Sequence, residues 1–291
     1  MHNFIKPVNS VENNLNSVGK GLHSPKKEFF ASEKATLISL YNNYDNLAGK
    51  DELHLLTKQW PLVSGEDKSV KKEKAEKRHL ANQLYGDDRP FVNDHWEKLT
   101  ENNGGETLYC PICGLHECEE MDHFVPRDES QFPEYSAHLS NLIPLCHSCN
   151  HKKLSKFLDD TGKRIYFNAF YDVLADRNII VCEITVSLKD GMPQIKTKCN
   201  PTLSTTNCPD KYILSTISDL ELLTRFDTRA KQWLRYEMNR LEQRIGQNWN
   251  FIVAEMKPLS KPMDSNPDIV YPAVLEAIAK SSIMEKWFKS L

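Results

Sequence analysis

Two short stretches, Tyr109-Cys110-Pro111-Ile112-Cys113-Gly114 and Leu145-Cys146-His147-Ser148-Cys149-Asn150, decide how this chain folds. Each carries a C-x-x-C pair, and 32 residues separate Cys113 from Cys146. Pro111 and Gly114 shape a tight turn that aims two sulfurs at one point. Two such pairs, Cys110, Cys113, Cys146 and Cys149, form the ligand set of a tetrahedral structural Zn²⁺ site. Closing the loop between them costs about 3 kcal/mol, whereas binding a structural zinc supplies roughly 10 to 16 kcal/mol. The clamped reading therefore outweighs two redox pairs or four buried thiols. Cys118 and His116 are near enough to be substitute ligands, but four thiolates already complete the shell. Cys182, Cys199 and Cys208 have no matching spacing and read as incidental thiols.

The rest of the chain sets the context for that clamp. Its 291 residues suffice for two domains, or one with large additions, and 40% hydrophobic with 26% charged residues is an ordinary globular composition. A formal charge of -3 gives no global field for nucleic acid or an anionic membrane, so any phosphate binding is local. No apolar run is long enough to span a bilayer, and the opening MHNFIKPVNS lacks the layout of a secretory signal. Both features predict no membrane association and a cytoplasmic chain, whose thiols stay reduced.

Outward from the cysteines the pattern is mainly helical. Residues 1–25 mix Asn, Ser, Gly and Pro and are expected to form an irregular arm. Helical periods run from Lys26 to Tyr44 and again over 51–63, which predicts short packed helices. The run Lys68–Arg78 holds six basic and two acidic residues and suits an exposed helix. After the cysteines, Ile179–Leu188, a turn at Asp190-Gly191 and Gln194–Lys198 spell a β-hairpin. Leu222–Trp249 carries apolar residues at spacings of three and four, the face of one long helix. Pro258–Pro272 reads as a loop, and Ala273–Leu291 as a final helix or helix pair.

Between the pairs lies Met121-Asp122-His123-Phe124-Val125-Pro126-Arg127, and before the second pair Ser140-Asn141-Leu142-Ile143-Pro144-Leu145. Asn150-His151-Lys152-Lys153 follows the second pair. In this order the segment Tyr109–Phe157 resembles HNH nucleases whose ββα-metal core is braced by a four-cysteine zinc site. The stretches Phe132-Pro133-Glu134-Tyr135-Ser136 and Phe167-Asn168-Ala169-Phe170-Tyr171-Asp172 extend the likeness to HNH subunits of Septu-type and retron-linked antiphage systems, which implies an ATPase subunit as partner.

Phosphodiester hydrolysis needs a base for water, a cation for charge on the phosphoryl and leaving oxygens, and a scaffold that fixes both. A histidine ordinarily exchanges its proton near neutrality, which makes His123 the candidate general base. Asp122 offers a hard oxygen and Asn150 a carbonyl oxygen, the donors that a catalytic Mg²⁺ or Mn²⁺ prefers. His151, next in sequence, is the other candidate for that metal position. The resemblance gives Asn141 a positional role, holding the loop and the base. Lys152, Lys153 and Arg127 are placed to meet the phosphates of DNA, although residues 106–157 contain eight acidic against four basic residues.

The expected fold class is α+β: a mostly helical chain with an embedded ββα-metal core braced by zinc, and a β-hairpin after it. The expected organisation is a helical region with an arm over 1–104, the HNH core over 105–175, and a hairpin with C-terminal helices over 176–291. The function this predicts is a metal-dependent endonuclease cutting DNA as the effector of an antiphage system. The alternative is a noncatalytic zinc module that binds nucleic acid or a protein.

Overall fold

Ser10 opens the first helix by accepting the Asn13 backbone N–H at 3.1 Å, and Leu15 and Val18 form its buried face, giving α1 (Val11–Lys20). The first 25 residues are thus not an irregular arm. Met1 and Phe4 are buried, and Phe4 N–H donates to the Ala169 carbonyl at 3.0 Å. Only three of the ten residues of α1, Val11, Leu15 and Val18, are apolar, too few to show its period, and its stability comes from packing. Gly19 permits that packing, since a Cβ there would meet the Phe30 ring at 2.8 Å.

The computed structural model describes residues 1–86, 90–105, 107–174, 178–261 and 268–291, and it is α+β, mainly helical with two small sheets. It divides into two compact units. The first holds Asn3–Cys110 and Glu117–Asp172, so the N-terminal helices and the strands near the cysteines form one body. The second holds Val173–Leu291 with Met1–His2 and Pro111–His116.

In the first unit, α1 leads to α2 (Lys26–Gly49), α3 (Lys68–Asn82) and α4 (Pro90–Asn102). Residues 51–63 do not form packed helices beyond a single 3-10 turn at Leu53–Leu55. Leu53, Leu56 and Trp60 are nonetheless buried, and the Gln59 N–H donates to Glu134 Oε1 at 2.8 Å. The apolar residues there anchor a loop instead of lining a helix face. Next come β1 (Glu120–His123) and β2 (Leu142–Leu145), antiparallel, with Asp122 opposite Ile143 and His123 opposite Leu142. α5 (His147–Lys153) follows and packs on β1, completing a ββα unit. A buried Arg164 ties the chain beyond it through ion pairs to Asp172 at 2.7 Å and Asp51 at 2.8 Å.

The second unit is built on the predicted hairpin, β3 (Ile180–Val186) and β4 (Pro193–Cys199), with Gly191 taking a left-handed φ of 71° in the turn. α6 (Asp210–Asp219) precedes α7 (Leu222–Glu242), which packs on β4 and on the helix at Val270–Lys280 and buries Leu222, Phe226, Ala230, Leu234 and Leu241. The long stripe is two helices: the chain turns at Gly246 with φ 90°, and Asn248 caps α8 (Trp249–Leu259). Of the expected loop, residues 262–267 lie outside those described. The C-terminal segment is a helix pair, α9 (Val270–Lys280) and α10 (Ser282–Lys289). No helix among the described residues is long and apolar enough to cross a membrane.

Because Leu15 is fully buried, Leu15→Ala should cost about 2 to 5 kcal/mol in a urea titration. A change below about 0.5 kcal/mol, the range of an ordinary surface substitution, would show that α1 is not part of the cooperative unit.

Candidate active site

The local backbone brings the four sulfurs together. Gly114 turns the first knuckle with φ 64°, and the Leu115 N–H donates to Cys113 Sγ at 3.5 Å. In the second knuckle the Cys149 and Asn150 N–H groups both donate to the Cys146 carbonyl, starting α5. All four Sγ atoms lie within 4.8 Å of one another, all four residues are buried, and none is in a disulfide. A tetrahedral ion with bonds of about 2.3 Å needs sulfurs roughly 3.8 Å apart, so a small contraction seats it. This cluster fits a structural zinc. Among the described residues neither Cys118 nor His116 belongs to it.

Asn141 enters just before β2 and is fully buried. Its Oδ1 accepts from the Val125 N–H at 2.7 Å and from Tyr44 Oη at 3.0 Å. Its Nδ2 donates to the carbonyls of Val125 at 2.9 Å and Tyr135 at 3.2 Å. The Phe124 N–H donates to its carbonyl at 2.8 Å, so the loop immediately after His123 is held through one residue.

His123 ends β1. Its Nε2 lies 2.8 Å from the Ser136 carbonyl, which only accepts, so Nε2 carries the proton and the accepting lone pair is on Nδ1. The Tyr85 ring meets the imidazole edge-on at a centroid distance of 4.4 Å. The residue is 7% exposed, so the imidazole sits in a nearly closed niche.

Asp122, one step back on the strand, faces α5. Its Oδ2 is 2.7 Å from Lys153 Nζ, which also donates to the His123 carbonyl at 2.9 Å. Burial pushes the Asp122 carboxyl above its ordinary range, against the pull of the Lys153 ammonium. Two residues earlier, Glu120 takes the same face. It accepts from Asn150 Nδ2 through Oε2, and its Oε1 pairs with His147 Nδ1 at 2.8 Å. Hydrogen bonds from His147 and then Asn150 hold the Glu120 carboxyl below its ordinary range. Asn150 is thereby tied to β1, whereas His151 is exposed with its ring stacked on that of His147.

Residues 110–156 match the family model described as HNH endonuclease. The chain carries an HNH endonuclease domain. Protein ea31 of Escherichia phage lambda is 25% identical over 151 residues, which is 50% of this chain and 48% of that protein. The chain thus spans about half the length of the curated relative it matches. No solved structure matches it.

Within the HNH domain the three residues expected at phosphates have different fates. Lys153 is 4% exposed and its ammonium reaches Asp122 and the His123 carbonyl, so in this structure it faces inward and not toward a nucleic-acid backbone. Arg127 is half-buried, bonded to Asn82 Oδ1 at 2.5 Å and set over the Tyr85 ring at 5.1 Å, so it braces the aromatic wall of the His123 niche. Lys152 is half-buried on α5. Glu120, Tyr44 and Tyr85 were absent from the expected set. Only Glu120 had a readable signal, its i−2 spacing from Asp122 on an alternating strand. The tyrosines arrive from α2 and just after α3, far away in sequence.

α5 ends at Leu154, which is 62% exposed and holds φ 50° and ψ −134°, a conformation that favours glycine. Leu154→Gly should therefore stabilise the chain by about 1 kcal/mol in a thermal or urea melt, and any loss would argue that the side chain packs. Cys146→Ser should release the zinc, measured with a chromogenic chelator, and abolish cooperative unfolding of the HNH unit.

Proposed function

We propose that the chain is a metal-dependent endonuclease that hydrolyses phosphodiester bonds of DNA, with His123 as general base and Asp122 and Asn150 as ligands of a Mg²⁺ or Mn²⁺ ion. The observation that carries this reading is the fixed imidazole, with Nε2–H spent on the Ser136 carbonyl and the basic nitrogen turned the other way. The buried Asp122 carboxylate is the hard oxygen donor that such an ion prefers, and the Lys153 ammonium 2.7 Å from Oδ2 would have to yield that oxygen to it. Asn150 supplies a carbonyl oxygen of the same donor class. A bound ion would neutralise charge on the phosphoryl and leaving oxygens.

The chain's own residues divide the remaining work. His123 Nδ1 takes a proton from a water whose oxygen attacks phosphorus, and the bond to the leaving ester oxygen breaks as that oxygen gains a proton from solvent. Asn141 keeps the loop after His123 in place, so the imidazole spends little entropy finding its angle. Tyr85, braced by Arg127, keeps it from rotating. The four cysteines hold α5 against the strands and take no part in the chemistry.

The likeness of residues 132–136 and 167–172 to antiphage HNH subunits further supports an effector role beside an ATPase partner. That role is tested by isolating the tagged chain from its native host and asking whether an ATPase co-purifies with it. The nuclease reading is tested with plasmid or single-stranded DNA and Mn²⁺ or Mg²⁺, adding that partner. His123→Ala should lower cleavage by about 10² to 10⁴-fold while zinc content stays at the wild-type value and the chain still unfolds cooperatively. Equal cleavage by His123→Ala and wild type would sink the assignment of the base.

A further inference from the structure

A carboxamide can offer a metal its oxygen only if something else claims its nitrogen. Asn150 Nδ2 donates to Glu120 Oε2, and a carboxylate has no hydrogen to give, so the amide cannot be turned the other way without losing that bond. Asn150 Oδ1 accepts no hydrogen bond from any described residue. Glu120 is itself fixed at its second oxygen by His147 Nδ1 at 2.8 Å. Strand alternation puts Glu120 and Asp122 on one face of β1, and helix periodicity puts Asn150 and Lys153 on one face of α5. The two elements therefore meet in two rungs, Glu120 with Asn150 and Asp122 with Lys153.

We infer that Glu120 is a positioning residue that sets the rotation of the Asn150 carboxamide, so that Oδ1 is the atom presented to a divalent cation, with His147 bracing Glu120 from behind. This rests on Asn150 being a cation ligand, as proposed above. Glu120 holds the ligand and does not touch the ion, the arrangement by which outer partners tune metal affinity.

Mn²⁺ binding to the full chain, followed by loss of the free-ion electron paramagnetic resonance signal, tests this without any DNA. Glu120→Ala should weaken Mn²⁺ binding by about 10 to 100-fold, the usual effect of losing an outer partner, with zinc content and melting temperature unchanged. Glu120→Gln should keep affinity within about threefold, because its Oε1 still accepts from Asn150 Nδ2. In an Asn150→Asp background, where both terminal atoms are oxygens, Glu120→Ala should bring no further loss. Should Glu120→Gln weaken binding as much as Glu120→Ala, the carboxylate is itself a ligand and the positioning role is overturned. Wild-type affinity in Glu120→Ala overturns it as well. Unchanged affinity in Asn150→Ala would instead show that Asn150 is not a ligand, and the reading beneath the inference fails first.

Discussion

One buried carboxamide governs the geometry on which everything else in the HNH domain depends. Asn141 satisfies the N–H and carbonyl of Val125, the carbonyl of Tyr135 and the hydroxyl of Tyr44. Leaving any one of these groups unpaired in a dry interior costs about 1 to 3 kcal/mol, so the site has one conformation and no cheap alternative. The segment so fixed begins at the residue after His123. The His123 imidazole is held from one side by this loop, from another by the Ser136 carbonyl, and at its edge by Tyr85. The fold sets its orientation, so in the role proposed above the imidazole would lose little freedom on reaching the reactive geometry.

The seam between β1 and α5 obeys a different constraint. Asp122 is a buried carboxylate, and an isolated buried charge is strongly disfavoured. Lys153 resolves this in the absence of a divalent ion, at the cost of its own availability to DNA. A metal ligand and a structural ion pair place the same demand on a sequence, a carboxylate aimed at a cation. That is why the lysine after the second knuckle looked like a phosphate contact when read along the chain, and turned out to face inward.

Much of the domain was legible because its signals are short-range. The two C-x-x-C knuckles carry their own turns, and the hairpin at 180–199 alternates cleanly around a glycine turn. What stayed hidden was whatever depends on tertiary company. α1 has too few apolar residues to announce itself and is stabilised by Gly19 admitting Phe30. The stripe from Leu222 to Trp249 kept its period across a break at Gly246, since periodicity records burial and not the continuity of hydrogen bonds. Tyr44 and Tyr85 reach the site from distant helices, and no local pattern marks them.

Charge decides how such a domain meets its substrate. Residues 106–157 carry eight acidic against four basic residues, and Lys153 and Arg127 are engaged within the protein. α3 does not make up the deficit. Lys74 is paired with Glu66, Lys77 with Glu33 and Glu73, and Arg78 is buried, which leaves Lys68, Lys71 and Lys72 of its six cations outside these interactions. Nonspecific affinity for a duplex grows with the number of phosphates neutralised, and a surface of this kind neutralises few. On the nuclease reading proposed above, such a surface would engage DNA weakly even with His123, Asp122 and Asn150 already in place. On that reading cutting would be limited by delivery of the strand and not by assembly of the site, because the bonds around His123 are already made in the fold.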